Sequence, residues 1–188
     1  SDESPITLID YVSKKVRRPR GKRYNIKYIR PTIKHPTKIN VWGCFGFNGV
    51  GNLAQIKGLM DANQFISIMK TNLMQSVKKI KGFDDYEIIF QQDNDPKHTS
   101  DMVVKWFEEK GITVLNWPSY SPDLNPIENL WAILKSSIAD RNPTNEAELF
   151  ALVNKAWDEI PNETLKNLVK SMPRRCQAVI DSKGYTKY

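Results

Sequence analysis

Tyr86-Glu87-Ile88-Ile89-Phe90-Gln91-Gln92-Asp93-Asn94-Asp95-Pro96 is the stretch on which the fold turns. Tyr86 to Gln91 is a short apolar, β-prone run of the kind a buried strand requires. It breaks off in a cluster of acids closed by a proline, so the strand delivers carboxylates at its end. Downstream, the spacing predicts a helix over 100–110, with Val103, Val104, Trp106 and Phe107 for its buried face, and then a short strand over Ile112–Leu115. Trp117 to Pro126 is a proline-punctuated loop that is not expected to be helical. Asn125 and Pro126 read as cap and first-turn residue of a helix whose inner face is Ile127, Leu130, Trp131, Leu134 and Ile138. Further helices are expected over 145–159, 163–172 and 173–180.

Upstream, Asp61 can cap a helix over 62–80 with the stripe Phe65, Ile68, Met69, Leu73 and Val77. Lys38–Phe47 and Val50–Lys57 read as two strands joined by a tight Asn48-Gly49 turn. Ile6–Val12 is a further β-prone run. A hairpin, then alternating helix and strand, then helices alone, is the pattern of an α/β protein: a mixed sheet covered by helices on both faces.

Composition narrows the function classes. With 188 residues, 40% hydrophobic and 26% charged, the chain suits one domain over 1–188 and excludes long disorder as its main state. No run of eighteen apolar residues is present, so no membrane partner is expected. Cys44 and Cys176 lack metal-ligand spacing, and with only His35 and His98 beside them a zinc site is excluded. The cysteines read as reduced, mostly buried thiols of an intracellular protein. The start at Ser1 reads as a piece of a longer polypeptide.

The net charge of +7 is concentrated in one segment. From Tyr11 to Met60 there are twelve Lys or Arg and no acid, while the other 138 residues carry sixteen basic and twenty-one acidic side chains, a net of −5. Pro19, Pro31 and Pro36 keep this segment out of helix. It reads as an extended basic arm over 13–37, either a solvated loop or a contact for a polyanion backbone through Lys14, Lys15, Arg17, Arg18, Arg20, Lys22 and Arg23. The same run suits a nuclear-import signal.

Ligands of α/β sheets gather beyond the carboxyl ends of the strands. Asp93 follows a strand, Glu128 lies in the first turn of a helix, and Asp2 and Glu3 precede the first β-prone run. Three acids from three elements can meet at one sheet edge. Other readings stay open at this level: Asp93 and Asp95 as turn residues, Glu128 closing a capping box with Asn125, and Asp2 on a loose end.

Gln92-Asp93-Asn94-Asp95-Pro96-Lys97-His98 and Ser119-Tyr120-Ser121-Pro122-Asp123-Leu124-Asn125-Pro126-Ile127-Glu128-Asn129-Leu130-Trp131 resemble the Tc/mariner-type DNA transposases. So do Val41-Trp42-Gly43-Cys44-Phe45, Arg20-Gly21-Lys22-Arg23-Tyr24-Asn25 and Met172-Pro173-Arg174-Arg175-Cys176, and the likeness runs essentially end to end. It implies an RNase H-like fold, a mixed five-stranded sheet flanked by helices with a C-terminal helical tail. It also implies a catalytic, metal-binding triad of two aspartates and a glutamate, which falls on Asp2, Asp93 and Glu128. The 34 residues between Asp93 and Glu128 fit the Tc branch. By the same likeness the upstream half of the first strand and the helix-turn-helix modules precede this segment, and the basic arm takes the place of a clamp loop.

Three converging carboxylates need cations, and hard oxygen donors select Mg²⁺, with Mn²⁺ as substitute, as a pair of ions. The expected activity is metal-dependent phosphodiester hydrolysis at transposon ends and 3′-hydroxyl strand transfer, by a homodimer on DNA. Lys97 and His98 stand close enough to touch a phosphate or orient a carboxylate. Trp117 and Tyr120 suit either stacking on a base or packing. The alternatives are a catalytically silent DNA-holding domain and a nuclease of RNA–DNA hybrids.

Overall fold

The structure, a computed structural model, describes residues 1–7, 19–22, 25, 28, 37–80, 87–119 and 121–184. In chain order the strands are β1 (Asp2–Thr7), β2 (Lys38–Gly43), β3 (Phe45–Gly46), β4 (Gly49–Val50), β5 (Ala54–Ile56), β6 (Ile89–Phe90) and β7 (Thr113–Val114). The helices are α1 (Ala62–Ile68), α2 (Met74–Lys79), α3 (Asp101–Glu109), α4 (Ile127–Ser137), α5 (Glu146–Asp158), α6 (Asn162–Lys170) and α7 (Met172–Asp181). A π-helical turn, Met69–Leu73, joins α1 to α2, so the expected helix over 62–80 runs on through a bulge.

β1, β2 and β5 form an antiparallel sheet in the order β1-β2-β5, with Ile6 opposite Ile39 and Asp2 opposite Gly43. β6 and β7 form a parallel pair, joined through α3. Side chains on β2 alternate between faces, as strand geometry requires. Ile39 and Val41 join a core with Ile127, Leu130, Trp131 and Leu134 of α4 and Leu149, Val153 and Trp157 of α5. Trp42, with Ala54 and Ile56 of β5, packs instead on Phe65 and Met69 and on Val103, Trp106 and Phe107 of α3. The protein is thus a mixed helix–strand fold with helices on both faces and a C-terminal helical segment.

Several expectations are corrected. Among the described residues the hydrogen-bonded ladders form sheets of three, two and two strands. β6 and β7 are only two residues long, and the link from β1 to the β6 strand is the nitrogen and hydroxyl of Ser1, which donate to the Gln91 carbonyl at 2.9 and 3.0 Å. The first strand spans Asp2–Thr7, not Ile6–Val12, whose residues from 8 on lie outside the described residues. In the hairpin Gly46 pairs with Gly49, so Phe47 and Asn48 make the turn, and neither Asn48 nor Gly49 has positive φ. Pro122–Leu124 is a 3₁₀ turn inside the loop expected to lack helix. Cys44 is buried as expected, but Cys176 is exposed.

Asn125 does not cap α4: no side-chain bond closes that end. The helix does not need it. Burial of Ile127, Leu130 and Leu134 contributes roughly 1.5–3 kcal/mol each, against about 1 kcal/mol for a cap. Glycine is required at Gly51, where a Cβ would lie 2.5 Å from both Cys44 Sγ and Ser76 Oγ. The Gly51 carbonyl accepts the indole N–H of Trp157 at 2.9 Å, tying the hairpin to α5.

Candidate active site

A cavity of about 480 Å³ opens where β1, the turn after β6, and the loop into α4 meet. Asp2, Asp93 and Glu128 all line it, with Glu3, Asn94, Asp95, Trp117 and Asn125. Each acid is delivered by a different device. Asp2 opens β1 and is held in register by the pairing with Gly43. Asp93 stands three residues past β6, in a turn closed by the Asp95 carbonyl, which accepts the His98 and Thr99 amides. Glu128 sits in the first turn of α4, on the face opposite the buried residues.

Electrostatics differ sharply among them. Burial pushes the Asp2 carboxyl up to about 7, against the bond it accepts from the Glu3 amide at 2.7 Å and with help from the charges of Glu128 and Glu3. Asp93 moves the other way, because the hydrogen bond from His98 holds its carboxyl below the ordinary range. His98 Nδ1 lies 2.6 Å from Asp93 Oδ1 and Nε2 lies 3.0 Å from Glu3 Oε1. Burial alone would lower the His98 pKa, but the bonds to the two carboxylates outweigh it and raise it to about 9. Lys97 Nζ pairs with Asp95 at 2.6 Å and with Glu3 at 3.2 Å.

The expected residues therefore fall into groups. The triad acids share one cavity. His98, only 3% exposed, faces carboxylates rather than open solvent, and Lys97 is bound between two acids. Arg20 and Lys22 lie in an exposed turn with Gly21 at φ 82°. Lys14, Lys15, Arg17, Arg18 and Arg23, most of the 13–37 arm, and Tyr120 lie outside the described residues. Asp93 also does turn work, accepting the Asp95 amide at 3.2 Å. Two participants were not legible as such. Glu3 was visible only as a neighbour of Asp2, and its partners come from a segment about ninety residues away. Asn125 was visible only as a helix cap, yet the residue lines the cavity, and its buried Oδ1 has no hydrogen-bond partner among the described residues.

The donors suit a hard divalent cation. The set is all oxygen, the donor type that hard cations such as Mg²⁺ and Mn²⁺ prefer. As the side chains stand, no three acids, histidines or cysteines among the described residues converge closely enough to hold an ion.

A family model described as DDE superfamily endonuclease matches residues 1–150. The chain is 45% identical over 195 residues to the Tc1 transposase of Caenorhabditis elegans, covering 100% of itself and 69% of that protein. The chain belongs to the DDE superfamily, among the Tc1-type transposases. It spans about two thirds of the Tc1 transposase. Structural likeness extends to the mariner branch. A structure of the Mos1 transposase catalytic domain with raltegravir and Mn matches with TM-score 0.74 at 20% identity, over 81% of this chain and 78% of the other. A Mos1 paired-end complex with left transposon end matches with TM-score 0.81 at 20% identity, over 97% and 54%. At these identities the likeness establishes the fold, that of the Mos1 catalytic domain.

Proposed function

We propose that this chain is the catalytic domain of a cut-and-paste DNA transposase, which hydrolyses phosphodiesters at transposon ends and joins the freed 3′-hydroxyl to target DNA. The observation that carries the reading is that Asp2, Asp93 and Glu128, from a strand, a turn and a helix, all line one cavity. The three would hold Mg²⁺ or Mn²⁺ as a pair of ions, a reading supported by the all-oxygen donors and by the Mn in a Mos1 catalytic-domain structure. When bound, such ions activate the attacking oxygen and offset charge on the leaving one in an in-line displacement.

The chain's own residues supply position. β1 fixes Asp2 through its ladder with β2, and the burial of α4 fixes Glu128. His98 neutralises Asp93 from inside. The sheet that carries them reads as one five-stranded RNase H-like sheet, in the order β5-β2-β1-β6-β7, supported by the bonds from Ser1 to Gln91. DNA as partner is supported by the transposon end in a Mos1 complex and by the basic segment. Assembly as a homodimer on paired ends, and nuclear localisation, belong to the same reading.

Plasmid nicking in Mn²⁺ tests it. The parent chain is expected to nick, and Asp93→Asn to lose nicking while binding DNA equally or more tightly, because the substitution removes a metal ligand and a negative charge. Nicking that survives Asp93→Asn at the parental rate would refute the site assignment. A parent that binds DNA but neither nicks it nor takes up Mn²⁺ would point to a silent, DNA-holding domain.

A further inference from the structure

His98 is buried, yet it has a carboxylate on each ring nitrogen: Asp93 Oδ1 at 2.6 Å on Nδ1 and Glu3 Oε1 at 3.0 Å on Nε2. The ring has little freedom between them. Its face packs on Phe65 with centroids 4.3 Å apart, its amide donates to the Asp95 carbonyl, and its own carbonyl accepts from Gln92 Nε2 at 3.1 Å. Glu3 is equally committed, since its second oxygen takes Lys97 at 3.2 Å. Asp93, by contrast, stands on an exposed turn, where the terminal torsion of an aspartate is broad and nearly two-fold. The Asp95 amide reaches the same Oδ1 only at 3.2 Å, so the shorter bond with His98 at 2.6 Å is the firmer hold on one rotation if that carboxylate is to meet an ion in a fixed way.

We infer that His98 and Glu3 are positioning residues for Asp93: His98 holds Oδ1 so that Oδ2 is presented to the metal, and Glu3 anchors His98 rather than serving as a fourth ligand. The inference rests on the reading of Asp93 as a metal ligand. The chain of contacts is Glu3–His98–Asp93, from β1 across to the turn after β6. It makes the two acids of the Asp2-Glu3 pair divide the work, one lining the cavity as a ligand and the other fixing its neighbour's orientation. Outer partners that orient a ligand in this manner typically govern affinity about 10–100-fold.

The test is Mn²⁺ calorimetry on the whole chain with two isosteric changes. His98→Asn places an amide N–H near the Nδ1 position and can still donate to Asp93. His98→Gln places its amide near the Nε2 position and can reach Glu3 but not Asp93. The inference expects His98→Gln to weaken Mn²⁺ binding by roughly 10–100-fold and His98→Asn by less than about tenfold. A role in packing alone would weaken binding equally in the two, in step with their melting temperatures, and that result overturns the inference.

If neither variant folds, Glu3→Gln and Glu3→Ala replace them. The first keeps an acceptor for Nε2 and is expected to bind more tightly than the second, and equal affinities overturn the inference. Asp93→Asn is the control. Unchanged binding there, or no Mn²⁺ uptake by the parent, defeats the metal-site reading and the inference with it. Loss in Asp93→Asn with identical His98 variants defeats the inference alone.

Discussion

Asp2 and His98 give the metal-free protein a pH dependence whose sign can be worked out. The Asp2 carboxyl is raised to about 7 by burial, so between its ordinary value near 3.8 and 7 the folded state keeps a proton that the unfolded chain has released. Stability from this group therefore falls as pH rises through that window. The His98 imidazolium is raised from 6.5 to about 9, so its contribution is complete below 6.5 and is lost as pH rises towards 9. Both terms have the same direction. Without divalent ions the melting temperature is expected to fall between pH 5 and pH 8, at roughly 2–4 °C per kcal/mol for a chain of this size. In Asp2→Asn the loss between pH 5 and 6 should vanish, while the part above 6.5 remains. A parent whose melting temperature is flat from pH 5 to 6 would contradict the buried state of Asp2. At this scale the sequence named the three acids through the family resemblance of its motifs, and the histidine as a neighbour of Asp93, but it left the sign of each pKa open. Asp2 and Asp93 are the same residue type at two strand ends, and only burial on one side and the His98 contact on the other separate them.

Among elements, α4 matters most, since it carries Glu128. Its hold on the sheet comes from Ile127, Leu130, Trp131 and Leu134, all at most 1% exposed. Leu134→Ala is expected to cost roughly 2–5 kcal/mol in urea unfolding, because the packed surroundings close only part of the cavity. The cap of α5 is a smaller contribution. Asn145 accepts the Glu148 amide at 2.9 Å, and Asn145→Ala should cost about 1 kcal/mol. Near-equal costs would mean that caps rather than burial set the helix positions. Helices were legible to within a residue or two because the 3.6-residue stripe survives in any context. Strands and turns were less so. Asn48-Gly49 has turn chemistry, yet the closure moved to Phe47-Asn48. Just beyond the turn, Gly51 leaves no room for a Cβ against Cys44 and Ser76 of α2, and its carbonyl accepts the Trp157 indole of α5, constraints that lie outside that local sequence.

For the whole molecule, the uneven charge is the governing feature. The segment from Tyr11 to Met60 holds the entire positive excess, while the cavity that holds Asp2, Asp93 and Glu128 is lined by five acids and no base. DNA is therefore expected to be held by the arm and tolerated at the cavity only with cations present. Neutralising Arg17, Arg18 and Arg20 together should reduce the log–log salt slope of duplex binding by about 0.9 for each phosphate that is no longer neutralised. An unchanged slope would assign the arm to protein contacts. Among the described residues no helix is long and apolar enough to cross a membrane.

From the sequence alone came the α/β class, the helix positions, the membership signalled by the Asp93 and Glu128 motifs, and the basic arm. All of these depend on local spacing, which neighbours in the chain decide. The tertiary structure decided that Asp2, Asp93 and Glu128 share one cavity, that Glu3 reaches across ninety-five positions to His98, and that Asn125 faces the cavity without capping a helix. Such pairings depend on which strands lie side by side, and no local pattern records that. The geometry of a carboxylate site is a property of the sheet order, whereas the acids themselves are a property of the chain.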